Sequence, residues 1–150
     1  MDEEALLTKL QSQEFTLSSI NKRAFAMFID EIIISFLFFF IISEKLSTFT
    51  SPDEIVVYTQ SLVIYVLIVK VLYQALFVGL YGATLGKMAL KIKIIDIEYF
   101  DTPSWQASFM RAFMRVIDEI LFYIGFVVAL FSPVRLTWHD RVAKTLVVDA

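Results

Sequence analysis

The chain has 150 residues, of which 58% are hydrophobic and only 19% charged, with a formal net charge of −3 at pH 7. An average soluble domain is about 45–50% apolar, so this chain carries more oily surface than a globule of its size can hide, whereas a bilayer can cover it. The weak negative charge and lack of a basic stripe exclude a nucleic-acid partner, the absence of cysteine excludes disulfide and thiol chemistry, and a single histidine excludes a multi-histidine metal site.

Residues 1–20 are expected to form a polar cytoplasmic tail, with acidic Met1-Asp2-Glu3-Glu4 at the start. Leu6, Leu7 and Leu10 fall at helical spacing, which makes it a short surface helix or a frayed end. A secretory signal needs a basic start, an apolar run and a small-residue cleavage site in that order, and none is present. A membrane domain then covers 21–150. Its first apolar segment, 24–43, has about the 20 residues a helix needs to cross hydrocarbon, with Asp30-Glu31 in its first half. A polar loop follows, in which Ser51 can cap the next helix and Asp53 and Glu54 suit its dipole. The second apolar segment, 55–84, has Lys70 as its only charge and ends among Gly79, Gly82 and Gly86.

Residues 87–96 alternate charged and β-branched side chains at period two and read as a β-like segment at the membrane surface. Asp101, Thr102 and Pro103 signal a turn and a helix start. From there Ser104, Ser108, Arg111, Arg115 and Asp118 share one helical face, and Trp105, Phe109, Phe113 and Val116 another. That is an amphipathic helix suited to lying in the interface. It leads into a third apolar segment, 117–134, and a second β-like segment follows at 143–149. The fold class is therefore an all-α membrane protein with two transmembrane helices and a third, broken or re-entrant segment.

Lys9, Lys22 and Arg23 flank the first segment, Lys45 alone sits in the first loop, and Lys87, Lys91, Lys93, Arg111 and Arg115 follow the second segment. The positive-inside rule places the N-terminus and the second connection in the cytoplasm. Arg135, Arg141 and Lys144 favour the same side for the tail. One full crossing by the third segment would put that tail outside, so a segment bent back near Gly125 is expected.

The sequence also repeats itself. Arg23-Ala-Phe-Ala-Met-Phe-Ile-Asp30-Glu31-Ile32 recurs as Arg111-Ala-Phe-Met-Arg-Val-Ile-Asp118-Glu119-Ile120, and Thr84, Lys91 and Asp96 recur as Thr137, Lys144 and Asp149. Either amphipathic helices have converged on one composition, or a unit was duplicated with the second apolar helix kept only in the first copy. Arg23 and Asp30, like Arg111 and Asp118, are seven residues apart, on one face about 10 Å apart along the axis. That is long for pairing within one helix, so partners from the other copy are expected: Lys70, Arg111 or Arg115 for Asp30, and Arg23 or Lys70 for Asp118. Arg23, Arg111 and Arg115 are also candidates for lipid phosphate contacts. An acid at a helix centre costs about 2.5–3.5 kcal/mol on insertion scales. Asp30, Glu31, Asp118 and Lys70 are thus candidates for a cation or proton site, or alternatively for an ion-pair lock between helices. His139-Asp140 does not make a catalytic dyad, since adjacent residues rarely face each other productively and no nucleophile is near.

Arg23 and Asp30, the stretch Gly82-Ala-Thr-Leu-Gly-Lys-Met-Ala-Leu-Lys-Ile-Lys-Ile-Ile-Asp96 and the closing stretch Leu136-Thr-Trp-His-Asp140-Arg-Val-Ala-Lys-Thr-Leu-Val-Val148 together resemble the RDD family of small bacterial membrane proteins. The family is named for one arginine and two aspartates, and the resemblance covers about residues 18–149. It implies Arg23 and Asp30 as signature residues and Asp140 as the second aspartate, with Asp118 the rival. Lys91 stands where relatives often have glycine. The resemblance implies transport of unidentified ligands, with sodium/proton exchange among some relatives, and a bacterial inner-membrane location. The expected function is a transporter or monovalent cation/proton exchanger without cofactor or metal, assembled as a homo-oligomer because three apolar segments enclose no pathway alone. The alternative is a non-transporting scaffold or accessory subunit that binds a partner protein or anionic lipid. Nothing in the sequence suggests an enzyme.

Overall fold

The computed structural model describes residues 3–150; Met1 and Asp2 of the acidic start lie outside the described residues. The elements in chain order are α1 (Glu3–Ser12), α2 (Ile20–Leu46), α3 (Pro52–Tyr81), α4 (Leu85–Ala89), β1 (Ile92–Asp96), α5 (Trp105–Ile120), α6 (Ile124–Phe131), α7 (Trp138–Ala143) and β2 (Thr145–Asp149).

Two helices are long and apolar enough to cross a membrane among the described residues, α2 with 27 and α3 with 30. At 1.5 Å per residue they are roughly 40 and 45 Å long, more than a hydrocarbon core of about 30 Å. Local chemistry sets their ends. The Ser19 hydroxyl accepts from Lys22 N to start α2. The Ser51 hydroxyl accepts from Glu54 N to start α3, and Gly82, at φ 68°, ends it in the left-handed region. Only 22% of the most apolar stretch of either helix is buried. Phe25, Phe28, Phe36, Phe39, Val57, Ile64 and Leu80 all point outward. A soluble core helix buries such residues; this is the surface of a protein solvated by lipid.

Helix α5 reverses the polarity of a soluble amphipathic helix. Ser108, Arg111, Ala112, Arg115 and Asp118 are buried, while Trp105, Phe109 and Phe113 are exposed. The helix does not stand apart as an interfacial helix. It runs antiparallel against α3, with Trp105 over Gly79, where a Cβ would come within 2.8 Å of the ring, and Glu119 paired with Lys70. Its polar face needs protein partners, and α2 and α7 supply them. The break comes at Phe122 and Tyr123, both left-handed with φ 56° and 60°, rather than at Gly125. Asp118 makes the turn: its carbonyl accepts from Tyr123 N at 2.8 Å and its Oδ1 from Gly125 N at 2.6 Å. Gly125 serves instead to let the carboxylate close in, since a Cβ there would collide with Asp118. The eight residues of α6 extend only about 12 Å, so the third segment turns back. Ser132, just beyond it, donates to Glu3 of α1 at 2.9 Å.

The stretch expected as a strand over 87–96 begins instead with the short helix α4. Thr84 leads into it, and Lys91, at φ 53°, turns the chain into β1. Lys144, its counterpart in the repeat, is also left-handed at φ 51° between α7 and β2. The duplicated unit is thus threonine, short helix, left-handed lysine, strand. The two strands pair antiparallel, with Ile94 opposite Val147. Adding the 53-residue offset between Thr84 and Thr137 to Ile94 also gives Val147. Repeat register and strand register therefore coincide, and a local pseudo-two-fold axis passes through that pair.

One sheet face, with Ile92, Ile94 and Val147, packs on Ala26 of α2 and Val78 of α3. The other, with Ile95, Leu146 and Val148, packs on Leu6 and Leu10 of α1 and on Val134 and Leu136. The described part of the 1–20 stretch is therefore packed rather than frayed. Leu17 bridges to Val148, and Ser18 N donates to the Val147 carbonyl at 3.2 Å. Strand β2 consequently lies at the same end of α2 and α3 as the N-terminal segment. Single cysteines at Gln13 and Tyr99 should be labelled by a membrane-impermeant thiol reagent from one side of the bilayer, and one at Ser47 from the other. Labelling of residues 13 and 99 from opposite sides would contradict this topology.

Candidate functional site

The centre of the buried polar network is Asp140, fully buried in the first turn of α7. A reciprocal capping box places it there: Thr137 Oγ1 accepts from Asp140 N, and the Asp140 carboxylate accepts from Thr137 N at 3.0 Å. Arg23, in the first turns of α2, donates to Asp140 Oδ2 at 3.3 Å, and Arg111 of α5 donates to Oδ1. Arg23 also donates to the carbonyls of Arg135 at 2.6 Å and Val147 at 3.0 Å, and Arg111 donates to Thr145 Oγ1 at 2.7 Å. Burial on its own would raise the Asp140 carboxyl. Arg111 and Arg23 outweigh it and hold the group below the usual carboxylate range. Arg23, Arg111 and Arg115 are all buried, and their guanidinium groups face carboxylates.

The repeat aspartates each close on a helix start. Asp30 of α2 accepts from Tyr73 Oη at 2.7 Å, Thr84 Oγ1 at 2.7 Å and Gly86 N at 2.9 Å, with Arg115 Nη1 at 3.8 Å. It locks α4 onto α2, and Gly86 is required there because a Cβ would strike the Ala26 carbonyl. Of the three cations expected around Asp30, only Arg115 approaches. Asp118 meets neither Arg23 nor Lys70. It binds the start of α6 and lies 3.5 Å from His139 Nδ1, a contact without hydrogen-bond geometry, since that nitrogen has no hydrogen-bond partner. Burial lowers His139 to about 4, so the ring is neutral at pH 7.

Lys70 takes the glutamates rather than the aspartates. Its ammonium lies 2.7 Å from Glu31 and also pairs with Glu119, while Arg115 stands 3.7 Å from Glu31. Glu31 lies 11 residues into α2, and Lys70 lies 11 residues before the end of α3; both are about 17 Å from the sheet end, so the pair is level. Glu31 and Glu119 keep some access, 28% and 23%, while Lys70 is buried, as are Asp30, Asp118 and Asp140. Glu119 was legible as the repeat counterpart of Glu31. Thr84 was legible as the counterpart of Thr137, whereas Tyr73 and Lys87 carried no comparable signal, because only the folded chain brings them beside the acids.

The RDD family model matches residues 17–144. The chain is similar to the uncharacterized membrane protein YteJ of Bacillus subtilis (strain 168), 35% identical over 83 residues, which cover 55% of this chain and 49% of that protein. It is similar to the uncharacterized protein RP437 of Rickettsia prowazekii (strain Madrid E), 35% identical over 69 residues, or 46% of this chain and 38% of that one. It is also similar to the uncharacterized protein YxaI of Bacillus subtilis (strain 168), 29% identical over 142 residues, covering 84% and 93%. The chain thus spans about half or less of the length of the first two. No solved structure matches.

Asp140→Asn leaves two buried guanidinium groups without a counter-charge and should cost about 3–5 kcal/mol. Glu31→Gln, at a partly exposed position, should cost much less. Unfolding in mixed micelles measures both, and equal losses would show that Asp140 is not the structural centre.

Proposed function

The chain belongs to the RDD family, a membrane protein with two candidate spans, and we propose that it exchanges monovalent cations or protons through the cluster of Glu31, Lys70 and Glu119. The observation that carries this reading is the placement of two partly accessible carboxylates around one buried ammonium at mid-helix depth. The trio has a net charge of −1. A proton or a monovalent cation neutralises it, and Lys70 serves as a countercharge that swings between the two glutamates as one of them is occupied.

Asp30 and Asp118 were the first candidates for the ion itself. The three donors on Asp30 at hydrogen-bond distance favour a role in holding α4 against α2, and Asp118 likewise holds the turn into α6. Two spans and a short returning hairpin enclose little volume, so the pathway would form between copies, as a homo-oligomer. Lys9, Lys22, Lys91, Lys93, Arg135, Arg141 and Lys144 at the sheet end, against Lys45 at the other, favour placing the sheet in the cytoplasm of a bacterial inner membrane.

A second reading, a non-transporting scaffold or accessory subunit for a partner protein or anionic lipid, draws on the same satisfied Asp30. Proteoliposomes under an imposed sodium or pH gradient separate the two. The exchanger reading expects the wild-type protein to dissipate the gradient, and Glu31→Gln and Glu119→Gln to abolish flux while unfolding as the wild type does. Absence of sodium and proton movement by well-folded protein would leave the scaffold reading.

A further inference from the structure

Among α2, α4, α5 and α7 lies an enclosed cavity that ion exchange through Lys70 does not use. Arg23, Lys87, Arg111 and Arg115 line it together with Asp140 and His139. All six side chains are buried, so their charge balance matters. Arg23 and Arg111 share Asp140, Arg115 lies 3.8 Å from Asp30, and Asp118 lies 3.5 Å from the lining His139. Glu31 also approaches Arg115, at 3.7 Å, but is shared with Lys70. Counting Asp140, Asp30 and Asp118 against Arg23, Lys87, Arg111 and Arg115 leaves a formal excess of one, and Lys87 makes no ion pair among the described residues. Neutral His139 does not change the sum.

The same place holds donors without acceptors. Nε of Arg23, Nε of Arg111 and Nη1 of Arg115 are buried and have no hydrogen-bond partner. The Lys87 ammonium has only Thr84 Oγ1, at 3.5 Å. Burial, and then repulsion from Arg115, lowers Lys87 to about 7. Lys87 also stands where the second copy of the repeat has Asp140, since 87 plus the offset of 53 is 140. The first copy thus sets a cation where the second sets the anion. A buried cation without an ion pair, such as Lys87, is costly. Unfilled N–H donors beside it ask for the same remedy, a negative charge with free lone pairs.

Size narrows the class. About 20 Å³ of the cavity is open to the centre of a water-sized species, above the roughly 10–15 Å³ one such species needs. That accommodates a monatomic anion and leaves no room for an organic acid or a nucleotide. We infer that the cavity is a binding site for a halide-sized monovalent anion, held by Arg23, Lys87, Arg111 and Arg115. The site is independent of whether the protein transports anything.

The test uses the purified full chain in detergent, with sodium gluconate replaced stepwise by sodium chloride or bromide at constant sodium and ionic strength. A ligand that binds only the folded state raises Tm by mass action, so Tm should climb saturably by a few degrees, and the chloride-35 resonance should broaden. Lys87→Met keeps the side-chain length and removes a buried charge, so it should fold. It should weaken the halide dependence at least about tenfold, equivalent to 1.4 kcal/mol, and remove the line broadening. Equal Tm in gluconate and halide overturns the site. A halide response unchanged in Lys87→Met also overturns it, as a bulk salt effect, and sulfate or phosphate acting as strongly as chloride overturns the size class.

Discussion

A carboxylate clamped between two guanidinium groups, away from water, holds this fold together. Asp140 contacts Arg23 from the first span and Arg111 from the returning hairpin. Charges taken out of water are tolerated only when closely paired and hydrogen-bonded. The clamp therefore ties α2, α5 and α7 into one arrangement. Through the Arg23 bond to the Val147 carbonyl it also holds β2 beside the start of α2. Its surroundings invert the usual soluble order: the polar faces of α5 and α7 turn inward, and the aromatic faces turn to lipid.

The duplication explains how so short a chain builds this. Each copy begins with a helix bearing arginine and, seven residues on, an aspartate that reaches the start of a later helix, α4 for Asp30 and α6 for Asp118. Each copy ends in a threonine-led short helix, a left-handed lysine and a strand, and the strands meet on the axis that relates them. The copies differ where asymmetry is useful. The first has the second span where the second has only α6, and it has Lys87 where the second has Asp140. The glutamates beside the two aspartates, Glu31 and Glu119, are repeat mates, and Lys70 from the unduplicated helix sits between them.

Much of this was legible from residue patterns. The spans followed from length and hydropathy, the repeat from the matched arginine, aspartate and glutamate, and the return of the tail to the N-terminal end of α2 from Arg135, Arg141 and Lys144. What was missed has physical causes. The alternation holds only from Lys91 onward, since Met88, Ala89 and Leu90 run together as one turn of helix, and the left-handed Lys91 that separates helix from strand carries no glycine to announce it. The break at Phe122 and Tyr123 likewise lacks glycine or proline; the Asp118 carboxylate and carbonyl enforce it. The partners of Lys70 depended on which acid of each Asp-Glu doublet faces α3, a rotation of about 100° between neighbours on a helix that composition does not reveal. The arginines were expected to pair with acids of the other copy, and the acid that takes Arg23 and Arg111 is Asp140 of α7.

The most direct test is a double-mutant cycle across the clamp, with Arg23→Met, Asp140→Leu and the pair compared for unfolding free energy in mixed micelles. If the clamp organises the fold, the pair should be less destabilised than the sum of the single changes, by about 1–3 kcal/mol of coupling. Additivity to within roughly 0.5 kcal/mol would mean that the two residues act independently, and would contradict the central role of Asp140.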